Sequence, residues 1–316
     1  MLQELFRIPG LDLPIYGYGF MLVVGFLLAA HFAKYLANRH GLDGEVFVNA
    51  ALLALFTGIL GARLSHVLEN LPQYTDPQKS AWQNLVSMVN LRQGGLTFYG
   101  GLLLAFPTLL FYAMKKRVPL RLGMDIAAPC IMIGLAVGRV GCFLNGCCFG
   151  ATCDVPWAIT YPYQSLPYDD HYDHGLVEPP PALKVSTATG ERLATMAEVA
   201  ADPSLRALAR IERSAAVHPT QLYSSFNALL IGAICYAYFT LPHSVGRVFA
   251  LMLILKGISR FLLEMIRTEP PVKPEWFGPM TLSMVISVGL VVLGTAMWFA
   301  FGRRLGRAEA AMAAMA

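Results

Sequence analysis

Three arginines stand inside apolar runs: Arg63 in "GARLSHVL" (61–68), Arg139 in "GRVGCFLNGCCFG" (138–150) and Arg260 in "GISRFLLEMIR" (257–267). A guanidinium stays charged in a semi-dry setting and presents a planar fork of N–H donors that matches a phosphate, which a lysine ammonium does not. Ionisable groups at membrane depth are costly and face a bundle interior or a wet cavity. Such arginines therefore predict an anion site, and the anion at hand is a phospholipid headgroup. A second reading stays open for each one taken alone. Arg260 can pair with Glu264 at i,i+4 and Arg63 with Glu69, or the side chains can snorkel to the surface.

The elements that must position these side chains follow from composition. With 56% hydrophobic and 14% charged residues, and a mean hydropathy of +0.52, the chain lies far from soluble averages and reads as an all-α integral membrane protein. Its net charge of +4, with 24 basic residues spread along the chain, leaves no footprint for nucleic acid. A hydrocarbon core of roughly 30 Å takes about 20 apolar residues per helix. About seven segments qualify, near 15–36, 47–68, 97–114, 124–146, 219–240, 246–266 and 281–302. The first is expected to stay as a helix, because no basic region precedes it and its apolar stretch exceeds that of a cleaved signal. There is no internal repeat, and one polytopic domain over 1–316 is the economical reading. The segment 147–218 forms a long connection or small head between the fourth and fifth helices. Within it, apolar spacing interrupted by Pro203 predicts one or two surface helices over 190–213.

Orientation follows from basic residues in short connections. Lys34 and Arg39 follow the first helix, Lys115, Lys116, Arg117 and Arg121 the third, and Arg303, Arg304 and Arg307 the seventh. These are expected inside, which places the N-terminus outside, the C-terminus in the cytoplasm and 147–218 outside. At 1.5 Å of rise per residue, Arg139, Arg260 and Arg63 lie roughly 22, 21 and 24 Å above the inner ends of their helices, at one level in the outer half. Other polar motifs reach that level: Tyr16 and Tyr18, "QGGLTFYGG" (93–101), "HPTQLY" (218–223), and Glu264 with Arg267. Gly134 with Gly138, and Gly58 with Gly61, read first as helix-packing faces. The glycines around Tyr99 read first as backbone lining a cavity.

Four of the six cysteines, Cys142, Cys147, Cys148 and Cys153, fall close together. They lack the paired C-x-x-C units of zinc sites. Packing thiols or one disulfide on an oxidising face are expected, dispensable for chemistry, with no metal and no cofactor.

The segment "GRVGCFLNGCCFG" resembles the signature of prolipoprotein diacylglyceryl transferases, bacterial inner-membrane enzymes that modify lipoprotein signal peptides. "YGFMLVVGF" (18–26), "GARLSHVL", "GGLTFYGG", "HPTQLY" and "GISRFLLEMIR" follow in that family's order, and only the outer segment 151–217 is unmatched. The resemblance implies transfer of diacylglycerol from phosphatidylglycerol to the lipobox cysteine of a prolipoprotein, giving a thioether and glycerol 1-phosphate, in the inner membrane with the site toward its outer face. It makes Arg139 and Arg260 the functional arginines, Arg139 contacting phosphatidylglycerol. Tyr18, Arg63, Gly100, Asn145, Gly150, Glu264 and Arg267 fall on matching motif positions and are the expected substrate-binding residues. Tyr99 replaces the motif histidine, Cys142 an asparagine and Cys147 a glutamate. Fixed guanidiniums suit the charge that grows on a departing phosphate. The proton acceptor stays open among Tyr99, His218, which alternatively caps its helix, and the phosphate or water. A non-catalytic lipid-binding or thiol- or metal-handling protein of the same architecture is the alternative function.

Overall fold

A computed structural model describes residues 4–8, 13–75, 80–90, 94–95, 97–187, 190–267 and 280–302. Long helices stand at every predicted position: α1 (Gly17–Arg39), α2 (Gly44–Glu69), α5 (Phe98–Lys115), α6 (Leu120–Asn145), α10 (Thr220–Thr240), α11 (Arg247–Glu264) and α12 (Leu282–Gly302). Five of them, α1, α2, α6, α10 and α12, are long and apolar enough to cross a membrane. The α5 helix is apolar but shorter, and α11 carries Arg247, Lys256, Arg260 and Glu264 among its 18 residues. Short helices α3 (Leu71–Tyr74) and α4 (Ala81–Val89) follow α2, and α7 (Leu166–Asp173), α8 (Met196–Ala201) and α9 (Pro203–Ile211) lie in the 147–218 segment. Arg303, Arg304 and Arg307 lie outside the described residues.

The all-α expectation needs one amendment. Two antiparallel hairpins accompany the helices: β1 (Glu4–Ile8) with β2 (Leu13–Tyr16), and β3 (Lys184–Thr187) with β4 (Gly190–Leu193). Strands this short cannot display a two-residue period distinguishable from chance.

The chain divides into two compact units, residues 28–130 and residues 1–27 with 131–316. In the first, Gly41 takes φ +72° to turn the chain out of α1, and the Asp43 carboxylate accepts the Glu45 N–H to start α2. The Gly58/Gly61 face does pack closely: a methyl at Gly101 would lie 2.8 Å from the Gly58 carbonyl, and one at Gly61 would strike the Gly100 carbonyl. Small residues thus let α2 and α5 backbones touch. Phe56, Leu60 and Leu64 of α2 and Leu103, Phe106 and Phe111 of α5 stay exposed, as expected of side chains that face lipid.

In the second unit the Gly134/Gly138 face of α6 receives the start of α1. A methyl at Gly25 would come 3.1 Å from the Gly134 carbonyl, and one at Gly141 would meet Met21 Cβ at 3.1 Å. Ser225 of α10 donates to the Ala136 carbonyl of α6 at 2.8 Å. Gly257 and Gly294 let α11 and α12 approach, each within 3 Å of a facing carbonyl if given a methyl. The 147–218 segment holds a core of its own, Tyr163, Tyr168, Leu183, Ala194 and Val199. Pro203 opens α9 as its first residue rather than breaking it, and a capping box of Thr195 and Glu198 starts α8, so two helices stand where one or two were expected, while residues 190–193 at the start of that range form β4 instead.

Candidate functional site

Three chain ends of the second unit are tied at one place. Where α6 ends, the chain runs on through Gly146–Cys153. Its Gly150 N–H donates to the His218 carbonyl at 3.1 Å, the His218 N–H donates back to Ala151 at 3.0 Å, and the Ala151 N–H reaches the Ile266 carbonyl at 2.9 Å. Gly150 also forms a bridge with Arg267 just past α11. A methyl at Gly150 would lie 2.7 Å from Thr220 Cγ2 and 2.9 Å from the His218 carbonyl, so no other residue fits this approach. Gly150 therefore acts here by joining the segment after α6 to those before α10 and after α11.

The arginines gather at this junction. Glu264 Oε2 lies 2.8 Å from Arg260 Nη2 and 3.9 Å from Arg267 Nη1, with the carboxylate and the Arg267 side chain almost fully covered. Oε2 lies out of line with the N–H bonds, and no aligned hydrogen bond reaches it among the described residues. Thr281 donates to the other oxygen at 3.2 Å. Arg260 feels the charges of Arg267, Glu264, Arg139 and Cys148. Arg139, half-buried on the last turns of α6, forms no hydrogen bond or ion pair among the described residues. The i,i+4 pair of Arg260 and Glu264 does form, and it stands inside a larger cationic group rather than replacing it.

Cysteines line the same place. The sulfurs of Cys142, Cys147 and Cys148 all lie within 4.8 Å of one another, each half-buried. All six cysteines are free, so of the two expectations, packing thiols or one disulfide, the disulfide is not formed, and Cys153 stands outside the trio. Asn145 hydrogen-bonds Cys147, and Arg267 and Arg139 both act on Cys148. The adjacent Cys142 and Cys147 thiols, then the two arginine charges, hold Cys148 below the ordinary thiol pKa. The Tyr18 phenol, on the first turn of α1, shares electrostatic contacts with all three cysteines and with Arg139.

The "HPTQLY" motif holds this segment in place. Thr220 Oγ1 donates to the Cys148 carbonyl at 2.7 Å, and Gln221 Nε2 to the Cys147 carbonyl at 2.8 Å and the Tyr161 hydroxyl at 3.0 Å. Gln221 is fully buried. The His218 ring does not cap α10, whose N-cap is Pro219 without a side-chain bond. Its Nδ1 instead meets the Tyr223 hydroxyl at 3.3 Å, and that hydroxyl receives the Trp157 N–H at 2.6 Å.

The other unit holds Arg63, Tyr99 and Gly100. Arg63 is buried, and its guanidinium donates to the carbonyls of Met88 (2.6 Å), Ser87 (2.9 Å), Gly94 (2.7 Å) and Gly95 (3.0 Å), with Tyr74 stacked over it at 5.2 Å. Glu69 bonds Ser65 and Thr97 rather than Arg63. Gly94 and Gly95 take φ of +76° and +79°, which turns both carbonyls onto Arg63. A side chain at Gly95 would strike the His66 ring. Arg63 thus fastens α4 and the 94–95 turn to α2, and its donors are committed there. Gly100 is buried against Ser65 and Gly61 of α2, while Tyr99 is 49% exposed on the first turn of α5.

Three contributors were missed from sequence. Lys256 lies one helical turn before Arg260 and shares its surroundings with Arg260 and Arg139. It forms no ion pair or hydrogen bond among the described residues, and its sequence signal was an ammonium inside an apolar run at i,i+4 to an arginine. Thr220 and Gln221 sat within a motif read only for its histidine.

The comparisons lead to the same family as the motifs. The family model described as prolipoprotein diacylglyceryl transferase matches residues 3–300. The phosphatidylglycerol–prolipoprotein diacylglyceryl transferase of Corynebacterium efficiens is 29% identical over 296 residues, covering 92% of this chain and 79% of the relative. The protein of that name from Sodalis glossinidius is 29% identical over 293 residues, 90% and 88% of the two chains. The one from Finegoldia magna is 24% identical over 305 residues, 96% and 97%. With the signature segment, the arginine group and a match across nearly the whole length, the chain belongs to the prolipoprotein diacylglyceryl transferase family.

Proposed function

We infer that the chain transfers the diacylglyceryl group of phosphatidylglycerol to the lipobox cysteine thiol of prolipoproteins, forming a thioether and releasing glycerol 1-phosphate. The observation that carries this reading is a group of cations at one junction: Arg260 and Arg267 meet the Glu264 carboxylate, and Arg139 and Lys256 act electrostatically on Arg260 or on each other. A phosphodiester is the anion that such a group of guanidiniums binds. As the carbon–oxygen bond to phosphate breaks, charge grows on the leaving oxygens, and guanidiniums already in place stabilise it without reorganising. Arg139, with no protein partner among the described residues, is the principal phosphate ligand, and Arg260 the second.

Glu264 holds Arg260 and Arg267, and its buried Oε2 is placed to accept a hydroxyl of the headgroup glycerol. Tyr18 and Asn145 line the site, and Gly150 fixes the loop that bounds it. Arg63 and Gly100 act by setting the 94–101 segment. The thiol's proton goes to Tyr99, to His218, whose ring meets Tyr223, or to the departing phosphate or water. An apolar groove between α10 and α11, lined by Leu222, Phe226, Leu262 and Ile266, offers room for an acyl chain beside the junction. All seven long helices cross the bacterial inner membrane, with the N-terminus outside and the site opening to the outer face.

Expression of the chain in cells depleted of their own transferase tests the reading. Restored diacylglyceryl modification of a reporter lipoprotein is expected from the natural chain and not from Arg139→Ala. Normal membrane levels of the natural chain with no modification would refute it.

A further inference from the structure

The reaction joins a carbon to a sulfur, and the chain places three sulfurs of its own beside the phosphate-binding arginines. The trio is built by the backbone. Cys142 lies on the last turn of α6, which ends at Asn145. Gly146 (φ +78°) and Cys148 (φ +61°) both take left-handed conformations that fold the chain back. For a non-glycine residue such a conformation is unfavourable and persists only where surrounding contacts enforce it. Here Thr220 and Gln221 enforce it by holding the Cys148 and Cys147 carbonyls. Cys147 also turns its N–H (3.2 Å) and its thiol (3.7 Å) toward the Cys142 carbonyl. No such effort is needed to pack three small thiols.

Three thiolates bound to zinc at about 2.3 Å stand roughly 3.8–4.0 Å apart. Sulfurs already within 4.8 Å of one another need only a slight closing movement to reach that spacing. Three thiolates around a divalent ion leave one negative charge in excess, and Arg139 and Arg267 lie beside Cys148 to offset it. Three protein ligands with an open fourth position are the pattern of catalytic rather than structural zinc. We propose that Cys142, Cys147 and Cys148 hold a zinc ion through three thiolates and present its fourth position to the acceptor peptide's thiol. This departs from the sequence expectation of dispensable thiols and no metal, and it rests on the transferase reading.

A thiol coordinated to zinc is deprotonated on binding. The acceptor thiol binds the open position and its proton passes to solvent. The sulfur electron pair then forms the carbon–sulfur bond as the glyceryl carbon–oxygen bond to phosphate breaks. The electron pair of that bond leaves on the phosphate oxygen, glycerol 1-phosphate takes up a proton from solvent, and zinc stays divalent throughout. Such a device supplies thiolate activation in a chain that has Tyr99 where the resembling family has histidine.

The test uses the full chain purified in detergent without chelator. Elemental analysis is expected to give about one zinc per chain. Cobalt exchanged into the protein should show thiolate-to-cobalt charge-transfer absorption, and its visible bands should shift on adding a lipobox peptide but not the same peptide with cysteine replaced by serine. Cys147→Ser and Cys142→Ser should each lose the metal and lower transfer by about 100-fold, the scale of lost thiol activation. Cys153→Ser, outside the trio, should keep both. Metal content and cobalt spectra are read without turnover, so a zinc-loaded protein that transfers nothing would sink the transferase reading and leave the site standing. Absence of stoichiometric metal after reduction and zinc addition, or full activity of a Cys142/Cys147/Cys148 triple alanine variant, would overturn the proposal.

Discussion

Glu264→Gln removes one negative charge at nearly constant volume, and its effect separates positioning from simple charge balance. The carboxylate touches two guanidiniums, Arg260 at 2.8 Å and Arg267 at 3.9 Å, and is itself 10% exposed. A glutamine can still accept the Thr281 hydroxyl, but it no longer attracts either cation. Hydrogen bonds to charged groups contribute about 1.5–3 kcal/mol. The lower end applies here, because Oε2 is out of line with its donors and Arg260 is 25% exposed. If that energy holds Arg260 where the leaving phosphate needs it, about 1.5 kcal/mol appears in the barrier and kcat falls roughly tenfold. KM for phosphatidylglycerol should stay level or fall, since the local positive charge rises. The assay is the initial rate of transfer to a lipobox peptide from vesicles of varied phosphatidylglycerol content, with unchanged thermal unfolding as the check on folding. An unchanged kcat with a lower KM would show that Glu264 merely offsets charge, and the positioning argument would fail.

Arg139→Ala should abolish transfer while the protein stays folded and inserted, because the guanidinium has no hydrogen-bond or ion-pair partner among the described residues to leave stranded; near-normal turnover would remove it from the chemistry. Gln221→Leu should leave the Cys147 carbonyl and the Tyr161 hydroxyl without their donor, lowering stability by about 1–3 kcal/mol in denaturant unfolding and reducing kcat more than it raises KM. Tyr99→Phe should slow transfer by about 10² if the phenol takes or orients the proton, and Tyr99→His should keep much of the activity; a fully active Tyr99→Phe with an unchanged pH profile would leave His218 or solvent in that role. His171 is 1% exposed against Phe149, and burial lowers its pKa, with Asp170 opposing and His174 adding to the shift. The fold therefore favours the neutral ring, so its contribution is full above the unfolded value of about 6.5 and is lost as pH falls below it. Melting temperature should fall between about pH 7 and pH 5, and less so in His171→Gln.

The helices were legible because each is a long apolar run, and observed boundaries such as Thr220–Thr240 follow the predicted 219–240 closely. The cationic group was legible in part, since Arg139, Arg260, Glu264 and Arg267 each stand out in an apolar context. Arg63 looked the same in sequence, yet its partners are backbone carbonyls of Ser87, Met88, Gly94 and Gly95. Carbonyls carry no sequence signal, so a committed arginine and an available one cannot be told apart by residue type. The cysteine trio was hidden for a related reason: a helix end followed by two left-handed residues brings positions 142, 147 and 148 together, which no regular spacing encodes. Thr220 and Gln221 act through bonds to backbone 70 residues and more away in sequence, beyond the reach of a local pattern.

The central claim is that this chain makes a carbon–sulfur bond at the Arg139–Arg260–Arg267 junction. The most direct measurement incubates the purified chain with phosphatidylglycerol vesicles and a synthetic lipobox peptide and follows both products by mass spectrometry. The account predicts a thioether-linked diacylglyceryl peptide and glycerol 1-phosphate in equal amounts, neither formed with a serine-substituted peptide or by Arg139→Ala. Folded, phosphatidylglycerol-binding protein that forms neither product, or glycerol 1-phosphate released without modified peptide, would contradict it.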